Sequence, residues 1–284
     1  MTGPGPVAII GCGEMGRPIA IRLLKAGLSV VACDTNPTRT APLADLGARV
    51  TGDLVEATRA AACALVLVNT EAQVRAVLEG IAPHRTPQMP IAIMSTISPA
   101  GMRDLSRHHA CLVDAPLSGG PIRAEEGQLT ILLGGAATDI DRFRPVLAPL
   151  ASHILICGQV GAAQAAKVVN NILCHANTVL MAEALALGRS EGLNFEVLRQ
   201  VMDVSTGRNY LTATSGAAER LYAGFTTEAA SFQAILGILR KDIDIATSMA
   251  RNKGQTLPGL TALSALLENL GEETFSTWSK VAGR

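Results

Sequence analysis

Through the first half of the chain, short uninterrupted apolar runs alternate with longer stretches in which apolar positions recur every three or four residues. Val7 to Ile10, Ser29 to Cys33, Ala64 to Val68, Ile91 to Met94, Cys111 to Val113, Leu129 to Leu133 and His153 to Ile156 read as buried strands. Met15 to Ala26, Ala72 to Gly80 and Asp139 to Leu150 carry helical periodicity between them. That alternation predicts a parallel sheet with helices on both faces. After about Cys157 the β-branched runs give way to Ala- and Leu-rich stretches with charges on one side, which favour helix. Gly161 to Gly192 contains no proline and one internal glycine, so it predicts a single helix of roughly 30 residues, about 45 Å long, able to link two domains. Further helices are expected over Phe195 to Val204, Ala230 to Met249 and Leu260 to Leu270. The expected architecture is an α/β domain over residues 1–159 followed by an all-α domain over 160–284, joined by the long helix.

Composition narrows the function classes. Hydrophobic residues make up 48% of the 284 and charged residues 17%, ample for a buried core and far from a disordered composition. The 24 basic and 24 acidic side chains cancel without clustering, which argues against a nucleic-acid partner. No apolar run is long enough to span a bilayer, and Met1 to Pro6 lacks the features of a signal peptide, so no membrane role and a cytoplasmic location are expected. Six scattered cysteines without metal-ligand spacing read as reduced and structural, and no catalytic metal is expected; Cys174 beside His175 is the one close Cys/His pair.

The chemistry concentrates in three places. Gly11-Cys12-Gly13-Glu14-Met15-Gly16 follows an expected strand and opens a helix, the setting in which GxGxxG cradles a pyrophosphate and marks a Rossmann-like domain. Asp34 ends the second strand 23 positions after Gly11, near the offset at which a carboxylate meets the adenosine ribose diol. It favours NAD over NADP, although Arg39 offers a charge to a 2′-phosphate. The loop alone also fits a non-redox nucleotide-like ligand, such as a sulfonium cofactor. Asp114 to Gly120 follows another strand, where Ser118, Gly119 and Gly120 can present a hydroxyl and amides to a carboxylate. Lys167 and Asn171 sit four apart on the long helix, sharing one face among mostly apolar neighbours. On spacing alone that pair is also compatible with a solvated face.

Together these residues resemble the β-hydroxyacid dehydrogenase family, which includes 3-hydroxyisobutyrate dehydrogenases and tartronate semialdehyde reductases. The likeness runs through Ile10 to Gly16, Ser95-Thr96-Ile97-Ser98-Pro99, Asp114 to Gly120, Gly158 to Asn171 and Lys241-Asp242, in that order. It implies a Rossmann domain joined by a long helix to an all-α domain, assembled as homodimers or homotetramers. It implies Lys167 as general acid/base for hydride transfer between a nicotinamide cofactor and a small hydroxy acid, with Asn171 as a substrate ligand and Ser118, Gly119 and Gly120 holding the carboxylate. Gly11, Gly13, Met15, Gly16, Asp34, Asn69 and Thr96 would line the cofactor site, Lys241 would reach cofactor and substrate, and Asp242 would support the structure. A free lysine titrates near about 10.4, so the role requires an apolar setting and Lys241 nearby to lower Lys167.

Two departures stand out: Arg123 and Ala163 occupy positions where related sequences usually carry glycine. Arg123, three residues beyond the substrate loop, could contact a carboxylate or the hydroxyls of a longer acid, and equally reads as a solvent-facing arginine. With Val68-Asn69-Thr70 and Glu126-Gly127-Gln128-Leu129-Thr130 it points toward the L-threonate dehydrogenase branch, whereas Asn170-Asn171 follows the main family pattern. The alternatives are an imine reductase of the same architecture, which generally lacks the lysine, and a sensor that binds dinucleotide without turnover.

Overall fold

A computed structural model describes residues 5–283. The chain divides into two compact units, the first up to Lys167 and the second from Val168 onward. The first contains β1 (Val7–Ile10), α1 (Gly16–Lys25), β2 (Val30–Cys33), α2 (Pro37–Ala44), β3 (Arg49–Thr51), α3 (Leu54–Thr58), β4 (Cys63–Val66) and α4 (Glu71–Ile81). It continues with β5 (Ile91–Ile93), α5 (Pro99–His108), β6 (Leu112–Asp114), β7 (Leu117–Ser118), α6 (Gly120–Glu126), β8 (Leu129–Gly134), α7 (Ala137–Leu147) and β9 (Ala151–Gly158). The helix α8 (Ala162–Ser190) carries the boundary between the units, and α9 (Phe195–Val204), α10 (Ala217–Phe225), α11 (Ala229–Asn252), α12 (Pro258–Glu268) and α13 (Glu272–Val281) follow.

In the first unit β3, β2, β1, β4, β5 and β6 run parallel in that order, with β1 paired to both β2 and β4. Successive residues of β1 enter different cores: Val7 and Ile9 pack with Leu23, Leu65 and Phe143, while Ala8 and Ile10 pack with Val66, Leu78 and Ile93. A strand buried on both faces has no polar positions to alternate, which is why these runs read as continuous apolar stretches. The expected parallel sheet carries a mixed side, where β8 runs antiparallel to β6 and β7 and parallel to β9.

The second unit is all-helical, and seven of the eight aromatic residues lie in it. Trp278 is buried at its centre, with ring centroids 5.2 Å from Tyr222, 5.8 Å from Phe225 and 5.5 Å from Phe232. Tilted and edge-on rings at these separations are favourable aromatic geometries. The expected long helix is a single element of 29 residues. The helix expected over Asp139 to Leu150 ends at Leu147, and its last turn tightens to 3-10 geometry over Ala148–Leu150, where Pro149 cannot donate. Among the described residues no helix is long and apolar enough to cross a membrane.

Candidate active site

The parallel strands β1, β2, β4, β5 and β6 end at one edge of the sheet. Gly11, Asp34, Asn69, Thr96 and Asp114 all lie at or just beyond those carboxyl ends. Sheets of this kind bind ligands at that edge.

The glycine loop has the shape of a pyrophosphate cradle. Gly11 sits at φ +94°, and a side chain there would collide with the Leu67 carbonyl oxygen. A Cβ on Gly16 would collide with the Gly11 carbonyl oxygen, so α1 starts tight against β1. A Cβ on Gly13 meets no protein atom, so the fold itself does not require glycine at that position. α1 opens after Met15 without a side-chain cap, and its Arg17 amide donates to the Gly13 carbonyl at 3.1 Å. These features fit a dinucleotide.

Asp34 does more than sequence offset suggests. Its side chain is buried, accepts the Cys12 amide at 2.8 Å through Oδ2 and the Asn36 amide at 2.8 Å through Oδ1, and lies 3.6 Å from Arg39 Nη1. It thus pins the glycine loop to the end of β2 while keeping further lone pairs for a ribose diol. Asn69 is exposed just before the Thr70 capping box that starts α4, and its amide donates to Gln73 Oε1 at 2.9 Å. Thr96 is half-buried.

The start of α8 is clamped to the same edge by two residues to which sequence reasoning gave no role of this kind. Asp114, fully buried at the end of β6, accepts the Gly161 and Gln164 amides at 3.0 Å each, capping α8 from a distant strand. Gln164, also fully buried, donates to the Ser95 carbonyl at 2.9 Å and accepts the Ile97 amide at 3.1 Å, so it brackets Thr96. A Cβ on Gly134 would stand 2.5 Å from the Asp114 carboxylate, so glycine on β8 leaves the room this cap needs. Burial pushes the Asp114 carboxyl above the ordinary range, more than the amide donors lower it. The only hints in the sequence were the position of Asp114 at a strand end and Gln164 inside the apolar run before the lysine. Lys167, half-buried, follows Gln164 by one helical turn.

Ser118 ends β7, half-buried, and Gly119 and Gly120 adopt φ +132° and +73°, values that L side chains rarely reach. Arg123 is exposed on α6, yet its Cβ and Cδ lie 3.1 Å from where a Gly119 Cβ would stand. Its stem therefore folds against the loop proposed to hold a carboxylate.

In the second unit, Asn171 is buried and donates from Nδ2 to Asp242 Oδ2 at 2.6 Å. Asp242 Oδ1 lies 3.0 Å from Lys241 Nζ, and His175 Nε2 lies 3.2 Å from Oδ2. His175 was read from sequence only as a neighbour of Cys174. All six cysteines are free thiols. Burial pushes Cys12 and Cys63 to about 12 and Cys33 to about 11, so these three are poor nucleophiles. Among the described residues no group of three or more His, Cys, Asp or Glu is arranged to hold a metal ion.

Residues 6–159 match the NAD-binding domain of 6-phosphogluconate dehydrogenase. With the glycine cradle and the strand-end carboxylate, this defines a nicotinamide-dinucleotide-binding protein of the dehydrogenase class. Residues 161–280 match the NAD-binding family of NADP-dependent 3-hydroxyisobutyrate dehydrogenase. The chain is 32% identical to 3-hydroxyisobutyrate dehydrogenase of Pseudomonas aeruginosa, covering 93% of this chain and 90% of that one. It is 30% identical to the NAD-dependent L-serine dehydrogenase of the same organism, covering 97% of both. The solved structure of Mycobacterium tuberculosis 3-hydroxyisobutyrate dehydrogenase with L-serine superposes with a TM-score of 0.78 at 26% identity, covering 98% of this chain and 99% of that one. The chain belongs to the β-hydroxyacid dehydrogenase family.

Proposed function

We propose that this chain interconverts a small hydroxy acid and its carbonyl form using NAD, with Lys167 as the acid/base. The observation that carries the reading is the double clamp on α8. Asp114 and Gln164 fix its first turn to the carboxyl edge of the sheet, beside the loops expected to hold the dinucleotide, and Lys167 stands one turn further on. That position supports Lys167 as the acceptor of the substrate hydroxyl proton.

A bound nicotinamide would supply the hydride acceptor for oxidation and the hydride donor for reduction. Lys167 takes the hydroxyl proton in oxidation and returns it in reduction. Ser118 and the Gly119 and Gly120 amides hold the substrate carboxylate, and Arg123 adds a bidentate donor for a carboxylate or for hydroxyls of a longer acid. Asn171 is assigned as a substrate ligand and Lys241 as a ligand of substrate and cofactor, as the family resemblance implies. Gly11, Gly13, Met15 and Gly16 receive the pyrophosphate, Asp34 the ribose diol, and Asn69, Thr96 and Lys241 complete the cofactor site.

NAD is favoured because a 2′-phosphate would stand against the Asp34 carboxylate, which Arg39 offsets only from 3.6 Å. Exposed apolar side chains on α8 (Val169, Leu173, Leu180, Leu187) and α9 (Val197, Val201, Val204) support self-association. The test is dinucleotide reduction with L-serine, 3-hydroxyisobutyrate and L-threonate, each with NAD and with NADP. Turnover of at least one acid, faster with NAD, is expected. Tight dinucleotide binding with no turnover of any of the three would favour a sensor instead.

A further inference from the structure

Along α8, buried polar side chains recur at helical spacing in the second unit: Asn171, His175 and Thr178. Thr178 is accounted for by structure, since its hydroxyl meets Tyr210 Oη at 2.6 Å and its carbonyl accepts Tyr222 Oη at 2.7 Å. His175, also buried, reaches a charged group. Its partner is the carboxylate of Asp242, on α11, which also takes the Asn171 carboxamide.

The chemistry of that carboxylate settles how Asn171 is turned. An ionised carboxylate only accepts hydrogen bonds, so the Asn171 atom 2.6 Å from Asp242 Oδ2 is the amide nitrogen. The carbonyl oxygen is thereby turned away from Asp242, and Asn170 Nδ2 lies 3.4 Å from it. The Asn171 carboxamide thus has one orientation, with its oxygen as the acceptor for an incoming hydroxyl. Asp242 is itself held from two sides, by Lys241 Nζ at Oδ1 and by His175 Nε2–H at Oδ2. A buried carboxylate that loses a donor is free to shift, and its other partner shifts with it.

We propose that His175 is a positioning residue: its Nε2–H anchors Asp242 so that Asp242 holds the Asn171 carboxamide oxygen toward substrate. This rests on the hydroxy-acid reading above, because it assigns Asn171 the task of accepting the substrate hydroxyl. Cys174 on α8 and Lys241 and Asp242 on α11 are the ionisable groups that act on this assembly, with Tyr210 facing Cys174.

The test compares His175→Leu, which removes the donor, with His175→Gln, whose amide nitrogen reaches about where Nε2 stood. Both are made in the full chain and assayed with NAD and with L-serine or 3-hydroxyisobutyrate, whichever the wild type oxidises. His175→Leu should raise KM for the acid about tenfold, the loss equivalent to roughly one charge-assisted hydrogen bond. KM for NAD should stay unchanged, and His175→Gln should restore most of the acid KM. A folded His175→Leu protein with wild-type KM for the acid overturns the proposal, as does a loss that His175→Gln fails to repair. In parallel, the Asn171 side-chain amide resonance of 15N-labelled protein should move in His175→Leu and return in His175→Gln. That readout needs no turnover, so a wild type silent toward both acids would count against the hydroxy-acid reading while the resonance still judges the anchor. An Asn171 resonance indifferent to both substitutions refutes the anchor itself, and if His175→Leu does not fold, His175→Gln is judged alone by its resonance and its acid KM.

Discussion

Replacing Asp114 with alanine tests the clamp on α8 without touching any group assigned to cofactor or substrate. Asp114 is fully buried and accepts two backbone amides, those of Gly161 and Gln164, at 3.0 Å each. Alanine would leave both donors unpaired at a buried helix start, a loss of about 1–3 kcal/mol per group. Relief of a desolvated carboxylate, whose pKa burial already raises, offsets part of that. A net loss of about 2–4 kcal/mol remains, which for a unit of this size lowers Tm by roughly 5–15 °C. The first turn of α8 loosens as well, and Lys167 with it, so kcat should fall while dinucleotide affinity, set by the glycine loop, holds. Thermal unfolding followed by circular dichroism and a dinucleotide titration would measure both. A variant that melts within a degree of wild type and turns over normally would refute the clamp.

Other consequences follow from the same geometry. Gly16→Ala should weaken dinucleotide binding at least about tenfold, because its Cβ meets the Gly11 carbonyl oxygen; an unchanged Kd by calorimetry would count against the cradle. Asp34→Ala should reduce NAD affinity and narrow the NAD:NADP ratio of kcat/KM, since it removes both the ribose acceptor and the anchor for the Cys12 amide; a ratio equal to wild type would contradict that. Burial works against the charged form of His175, but hydrogen bonds and charge from Asp242 and Cys174 outweigh it and raise its pKa. Burial likewise opposes the Asp242 carboxylate, and His175 and Lys241 lower its pKa on balance. The His175 contribution is full below about pH 6.5 and fades as pH rises through its raised value, whereas that of Asp242 fades as pH falls through its lowered one. Denaturant unfolding of wild type against His175→Gln should therefore show the widest stability gap in mild acid, and a gap that grows toward alkaline pH would contradict the pairing.

The fold was legible wherever burial on both sides of a strand made a continuous apolar run, as at Val7–Ile10, or where periodicity lasted many turns, as in α8. Elements whose stability comes from packing were not. β3 and β7 have three and two residues, too few for a pattern, and α13 is written in Glu, Thr, Ser and aromatic residues that favour helix only weakly until Phe275 and Trp278 dock. The antiparallel turn of the sheet at β8 left no trace in the apolar pattern, because both directions bury the same residues. The glycine loop and Asp34 were readable because the backbone there demands particular residues at fixed offsets. The roles of Asp114, Gln164 and His175 depend on partners 47 to 69 positions away along the chain, and no local spacing carries that information.

The claim on which the proposed chemistry depends is tested most directly with Lys167→Ala. The variant should bind NAD with wild-type affinity in a calorimetric titration. Its turnover of the hydroxy acid that the wild type oxidises should fall by about 10²–10⁴-fold, the range expected for loss of a general acid/base. Turnover at the wild-type rate with that acid would contradict the assignment.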